Sequence, residues 1–240
     1  MDAAATVDKL TAWIREQVSA AGCDGAVLGL SGGIDSAVVA GLAVRACPGK
    51  VLGIVMPCHS LARDTEHGRL TAETFKIESK TVDLSPAFDQ MLTLFGPAAG
   101  PAADLAKANV KPRLRMITLY YHAQQRNALV LGTGNRSELT IGYFTKHGDG
   151  AVDLLPIASL VKQQVREVAK VLGVPSAIIE KPPSAGLWEG QTDESEMGIS
   201  YAELDRYILT GEAPDAVAEK IERMKRASEH KRKLAPIAEV

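Results

Sequence analysis

The sequence predicts a doubly wound α/β fold, a mainly parallel sheet flanked by helices and followed by C-terminal helices. Three observations carry that expectation. Short apolar runs recur at 26–30 (AVLGL), 51–56 (VLGIVM), 81–84 (TVDL) and 127–133 (NALVLGT), the length and character of buried strands. Stretches of helical spacing separate them, which is the rhythm of βαβ units. The 240 residues, 46% hydrophobic and 23% charged, suit one soluble domain over 1–240, not a disordered chain.

Taken in order, residues 6–21 place Val7, Leu10, Ile14 and Val18 on one face of a helix that Gly22 can end. The strand at 26–30 leads through a Gly-Gly turn into the apolar helix AVVAGLAV. A long connection follows the third strand. Its Gly-, Pro- and Ala-rich part, 95–103, reads as a loop and not a domain boundary, since both flanks continue the same alternation. A helix over about 112–125 fills the second half. Beyond the fourth strand come a polar, Gly-rich segment at 134–156, a helix at 159–172, a loop at 181–199 and, from Tyr201 to Arg232, two helices, the second carrying HKRK at 230–233. The whole is Rossmann-like in its expected layout.

A net charge of −2 provides no global basic field, so a polyanionic ligand must be met by local clusters, and neither nucleic acid nor a membrane surface is an expected partner. The start MDAAATVDKL lacks the basic flank and apolar run of a secretory leader, and no stretch reaches the roughly 20 apolar residues of a spanning helix. A cytoplasmic location is expected. Cys23, Cys47 and Cys58 are odd in number and lack CxxC spacing, which argues for reduced thiols over a disulfide framework or a zinc site.

The clearest chemical signal is Gly29-Leu30-Ser31-Gly32-Gly33-Ile34-Asp35-Ser36, between a strand and a helix. Adjacent glycines permit positive φ and close backbone approach, and the helix start offers unpaired N–H groups to an anion. Asp35 would repel phosphate unless a cation such as Mg²⁺ lay between them. A Gly-rich turn capped by Asp35 or Ser36 is the simpler reading of a lone Gly-Gly pair. Neither a GK[ST] loop nor a GxGxxG fingerprint is present.

SGGIDS in this setting resembles the pyrophosphate-binding loop of the N-type ATP pyrophosphatases, which cleave ATP between its α and β phosphates. Further segments resemble one branch, the ammonia-dependent NAD synthetases: NVKPRLR at 109–115, GTGNRSE at 132–138 and above all GYFTKHGDG at 142–150. The resemblance spans roughly residues 6–233. It implies that Gly29 to Ser36, Thr133, Lys162 and Ser184 contact ATP, that Arg113, Lys146, Asp153, His230 and Lys231 contact deamido-NAD, and that Asp35 and Glu138 hold Mg²⁺. Taken alone, the cations at 111–115 could be solvated surface charges, Glu138 a partner of Arg136, Lys162 an exposed helix residue, Ser184 a loop hydroxyl, and His230 and Lys231 part of a mobile charged tail. His59 and His147 receive no catalytic role. CHSLARD at 58–64 replaces an expected Ser-rich segment, and Pro112 is unusual although a first helical turn accepts it.

The implied reaction activates a carboxylate that ammonia cannot attack directly. The nicotinate carboxylate of deamido-NAD attacks the α-phosphate of ATP, pyrophosphate leaves, and ammonia displaces AMP. Asp35 and Lys162 are the residues expected to matter most for the chemistry, by charge stabilisation and positioning. The chain has no room for a glutamine-hydrolysing domain and Cys58 lacks a glutaminase context, so free ammonia is the expected nitrogen source. Two other readings are open at this level: a different ATP pyrophosphatase, such as a GMP synthetase core or a tRNA-modifying adenylase, and a non-catalytic nucleotide sensor. Leu119, Tyr120 and the apolar parts of the 112–125 helix resemble a dimer-forming helix, which implies a homodimer.

Overall fold

The computed structural model describes residues 1–184 and 192–238. Among these residues a four-stranded sheet has the order β3-β2-β1-β4 with every pairing parallel, from β1 (Gly25–Gly29), β2 (Val51–Val55), β3 (Glu78–Thr81) and β4 (Ala128–Leu131). Alternation along the strands divides the core. Ala26, Leu28, Val51, Val55 and Leu131 face one side, and Val27, Leu52, Ile54 and Val130 the other. The first side is covered by α1 (Ala3–Ala20), α2 (Ile34–Ala46) and α8 (Lys162–Leu172), whose Ile14, Leu42 and Val165 are fully enclosed. The second is covered by α4 (Ser85–Phe95) and α6 (Val110–Arg126), through Phe88 and Ala123. α3 (Ala62–Phe75) joins β2 to β3, α5 (Pro101–Ala108) leads into α6, and α9 (Ser176–Ile179) follows α8. A third cluster, with Ile141, Met197, Tyr201, Leu204 and Ile221, joins α7 (Arg136–Ile141), α10 (Asp193–Met197), α11 (Tyr201–Thr210) and α12 (Asp215–Ala227). A 3-10 turn, Glu229–Lys231, follows.

The third strand lies three residues earlier than the apolar pattern predicts. Lys76 ends α3 in the left-handed region (φ 53°), Ile77 is buried, and the chain enters the sheet at once as an exposed edge strand. An edge strand need not be apolar. Val82 and Leu84, which suggested the strand, instead pack into the second core cluster. The 95–103 segment is only partly a loop, because Pro101 opens α5 at a position where its missing N–H costs nothing. The helix expected from 159 begins at Lys162, after an extended Val161, because Leu160 is engaged by the Arg136 N–H.

This topology sets the location of the site. From β1 the chain crosses to β2 on one side while β4 lies on the other, so the carboxyl ends of β1 and β4 flank the crevice where α/β sheets bind ligands. No helix among the described residues is long and apolar enough to cross a membrane.

Candidate active site

The loop after β1 forms a braced cradle. Gly33 is the N-cap of α2 in an extended conformation, without a side-chain cap, so the first-turn N–H groups are available to an anion. The Ser31 hydroxyl donates to Ser36 Oγ (3.0 Å) and accepts from the Gly33 N–H (3.2 Å), while the buried Ser36 hydroxyl donates to the Gly33 carbonyl (2.9 Å). Ser36 therefore stiffens the loop from beneath. Gly32 has φ +75° and lies against α3, where a Cβ would stand 2.3 Å from the Asp64 carbonyl oxygen. Both constraints require glycine.

Two carboxylates and an ammonium meet beside this cradle. Asp35 lies in the first turn of α2, Glu138 in that of α7 and Lys162 at the start of α8. Lys162 Nζ is ion-paired with Asp35 Oδ2 and lies 3.6 Å from Glu138 Oε1. Asn135, fully buried, aligns the acids: its side-chain amide donates to Asp35 Oδ1 (3.1 Å), its Oδ1 accepts from the Glu138 N–H (3.0 Å), and Glu138 Oε2 accepts from the Asn135 N–H (3.1 Å). This capping box commits one Glu138 oxygen to backbone and leaves the other facing Lys162. Burial, followed by the neighbouring Asp35 charge, pushes the Glu138 carboxyl up to about 8 against the pull of Lys162. Burial also disfavours the charged Lys162, but Asp35 and Glu138 outweigh it and hold the ammonium above its ordinary value. Two carboxylates that share one ammonium offer hard oxygen donors of the kind a divalent cation takes.

Tyrosines and further acids surround the triad. The Tyr201 hydroxyl lies 2.9 Å from Asp193 Oδ2 and 3.4 Å from Glu138 Oε1, its ring is 5.0 Å from Lys162 Nζ, and the Tyr143 hydroxyl donates to Glu196 Oε2 (2.7 Å). Asp205, buried, accepts from the Ser137 hydroxyl and from the Gln163 N–H (2.8 Å), and Ser137 Oγ accepts from the Lys162 N–H (3.1 Å). Asp205 thus caps the helix that presents Lys162.

The cradle opens into a cleft of about 470 Å³, a volume suited to a nucleotide-sized ligand. Of the predicted residues, Gly29, Leu30, Ser31, Gly33, Ile34, Asp35, Thr133, Glu138, Lys162, Ser184 and Lys231 line it. Gly32 and Ser36 support it from behind. Arg113, Lys146, Asp153 and His230 are not among its lining. Arg113 is exposed on α6 and donates to the Lys146 carbonyl (3.2 Å), while Asp153 accepts from the Val130 N–H (2.7 Å) and the Tyr120 hydroxyl (3.0 Å). Lys231 donates to the carbonyls of Gly142 and Phe144, both at 2.8 Å. Met56, Pro57 and Ser60, in and beside the departing CHSLARD segment, still form part of the wall.

The profile of the NAD synthase family matches residues 6–235. The chain belongs to this family. It is 50% identical over 231 residues to the NH(3)-dependent NAD(+) synthetase of Carboxydothermus hydrogenoformans, covering 96% of this chain and 95% of the relative. Among solved structures, the NMN synthetase from Francisella tularensis superposes with TM-score 0.94 at 41% identity, and the NH3-dependent NAD synthetase from Campylobacter jejuni in complex with the nitrate ion with TM-score 0.82 at 30%, each over 100% of both chains. As a member of an ATP-using family the protein takes ATP as co-substrate.

Sequence reasoning missed four contributors within this NAD synthase fold: Asn135, Asp205, the Tyr143–Tyr201 pair and Lys181. Asn135 carried a signal, because Asn-x-x-Glu before a helix is a capping box. Lys181, whose Nζ is ion-paired with Asp64 and 3.4 Å from the Gly32 carbonyl, lies three residues before Ser184, which the resemblance assigned to ATP. Asp205 gave no signal, since it lies 42 residues from its partner Gln163.

Proposed function

We propose that this chain is a carbon–nitrogen ligase that converts deamido-NAD to NAD with ATP and ammonia, the last step of NAD formation, and that it works as a single catalytic domain. The observation that carries this reading is the Asp35–Lys162–Glu138 triad at the mouth of the SGGIDS cradle. The α2 N-terminus and the loop N–H groups receive the β- and γ-phosphates and stabilise pyrophosphate as it departs. Thr133 and Ser184 line the same cleft and offer hydroxyls to ATP. Asp35 and Glu138 would hold Mg²⁺, which when bound supplies charge neutralisation at the transferring phosphate. Lys162 orients both acids and adds its own charge beside the α-phosphate. The nicotinate carboxylate attacks phosphorus, pyrophosphate leaves, and ammonia displaces AMP from the acyl adenylate. No protein nucleophile is needed, and positioning accounts for the acceleration.

Arg113, Lys146, Asp153, His230 and Lys231 are assigned to deamido-NAD. Exposed Arg113, Ile117 and Tyr121 form a stripe along α6 with four-residue spacing, and Leu94, Phe95 and Leu105 are exposed on α4 and α5. Leu119 and Tyr120 instead pack toward the sheet. A homodimer formed through this stripe would turn Arg113 of each copy toward its neighbour. Free cysteines and the lack of a spanning helix among the described residues support a cytoplasmic enzyme.

A second reading, amidation of the nicotinate mononucleotide, is favoured by the superposition on the Francisella tularensis structure. One assay tests both: purified protein with ATP and Mg²⁺, either acceptor, and ammonium or glutamine, following NAD, NMN and pyrophosphate. NAD formed from deamido-NAD and ammonium supports the first reading. NMN formed at the higher kcat/KM replaces it with the second.

A further inference from the structure

We propose that Lys181 is a further phosphate-binding residue, one that contacts the β- and γ-phosphates of ATP and the pyrophosphate that leaves. The inference rests on the reading of residues 29–36 as the ATP cradle.

Lys181 comes from a stiffened part of the chain. Pro182 and Pro183 follow it, fixing φ at two successive residues and disfavouring the helical region for Lys181. The Pro183 carbonyl is held by the Asp193 N–H at 3.1 Å. From this segment the side chain crosses to the cradle, where Nζ is ion-paired with Asp64 Oδ1 and lies 3.4 Å from the Gly32 carbonyl. Both side chains line the cleft and are 14% and 16% exposed. Asp64 is itself fixed relative to the loop. A Cβ at Gly68, one turn further along α3, would stand 2.6 Å from the Leu30 carbonyl, and one at Gly32 would meet Asp64. The helix is therefore seated against the loop that receives the phosphates.

The other cations lining the cleft among the described residues are already engaged. Arg115 donates to the Met56 carbonyl (3.2 Å) and Ser60 Oγ (3.3 Å), Lys231 to two carbonyls, and Lys162 lies between Asp35 and Glu138. An ammonium has three donors. Asp64 and the long contact to Gly32 occupy two on Lys181, and the third has no protein acceptor among the described residues. Charge points the same way. Lys162 already lies between Asp35 and Glu138, whereas Asp64 brings a further carboxylate against a loop that must accept a polyanion, and Lys181 offsets it there.

A purely structural role is the alternative, in which Lys181 only neutralises Asp64. The variants Lys181→Met, Asp64→Asn and their double mutant separate the two. Steady-state kinetics give KM for ATP, KM for deamido-NAD and the inhibition constant of pyrophosphate, and thermal unfolding gives stability. Loss of one charge-assisted phosphate contact raises the ATP KM and the pyrophosphate inhibition constant by about tenfold or more, with the deamido-NAD KM within about twofold. The double mutant, which leaves no charge unpaired, recovers stability but not ATP or pyrophosphate affinity. Recovery of both in the double mutant overturns the proposal, even if Lys181→Met alone does not fold. Ser31→Ala serves as a control on the loop. If it lowers ATP and pyrophosphate affinity while the double mutant does not, only the role of Lys181 fails. If neither changes them, the reading of the cradle fails as well.

Discussion

Replacing Lys162 with methionine would remove the ammonium that lies between two acids while keeping most of the side-chain volume. Lys162 is 3% exposed and Asp35 and Glu138 are 16% and 17% exposed. Breaking a buried ion pair from one side costs about 3–5 kcal/mol. Here the acids keep an edge open to the cleft, and Glu138, already raised to about 8 by burial and Asp35, can take up a proton in place of its lost partner. We therefore expect a loss of about 2–3 kcal/mol without metal, which at a slope of about 2–3 kcal/mol/M lowers the urea midpoint by about 1 M. Mg²⁺ at a hundredfold excess over its dissociation constant would return up to about 2.7 kcal/mol, and more to the variant than to the native chain, in which Lys162 already neutralises the acids. The assay is urea unfolding of both proteins with and without Mg²⁺, followed by circular dichroism. Equal midpoints without metal, or no Mg²⁺-dependent gain in the variant, would refute the view that Asp35 and Glu138 form a cation site balanced by Lys162.

Gly32→Ala must accept a left-handed backbone, at about 1–2 kcal/mol, and a Cβ 2.3 Å from the Asp64 carbonyl; isothermal titration should show ATP affinity reduced by about a hundredfold or more if the loop is the phosphate cradle. Asp205→Ala leaves the Ser137 hydroxyl and the Gln163 N–H without their acceptor, which should cost about 2–4 kcal/mol in chemical unfolding and lower kcat through Lys162 more than KM. Gly142→Ala places a Cβ 2.1 Å from the Ser228 Cβ, displacing the segment that carries Lys231; kinetics should show a higher KM for deamido-NAD with the ATP KM little changed. If the proposed homodimer forms through the α6 stripe, Ile117→Asp, at a 58% exposed position, should lower the mass seen in light scattering from dimer to monomer while leaving the secondary structure intact.

Whereas Asp35 and Glu138 were singled out as a pair only by resemblance, residue order alone pointed to the parallel α/β layout and to the Gly-Gly turn between the first strand and a helix. Those features are local: a buried strand is a short apolar run, and a glycine pair before a helix restricts what the backbone can do there. It misplaced β3, because an exposed edge strand does not need the apolar pattern that reveals a buried one, and it overlooked α5, because Pro and Gly mark the ends of helices as readily as loops. Asn135 was legible as a cap, but not its donation to Asp35, 100 residues away in the chain. The role of Lys162 could be suggested only by resemblance, since by periodicity it is an exposed helix position. In the structure it is nearly inaccessible because α8 starts against α7 and α11. Asp205, Tyr201 and Lys181 belong to this second kind. Residue order determined which side chains and backbone conformations were available; only tertiary packing decided which charges meet, because burial and Coulomb energy depend on distances that the connectivity of a parallel sheet creates between remote segments.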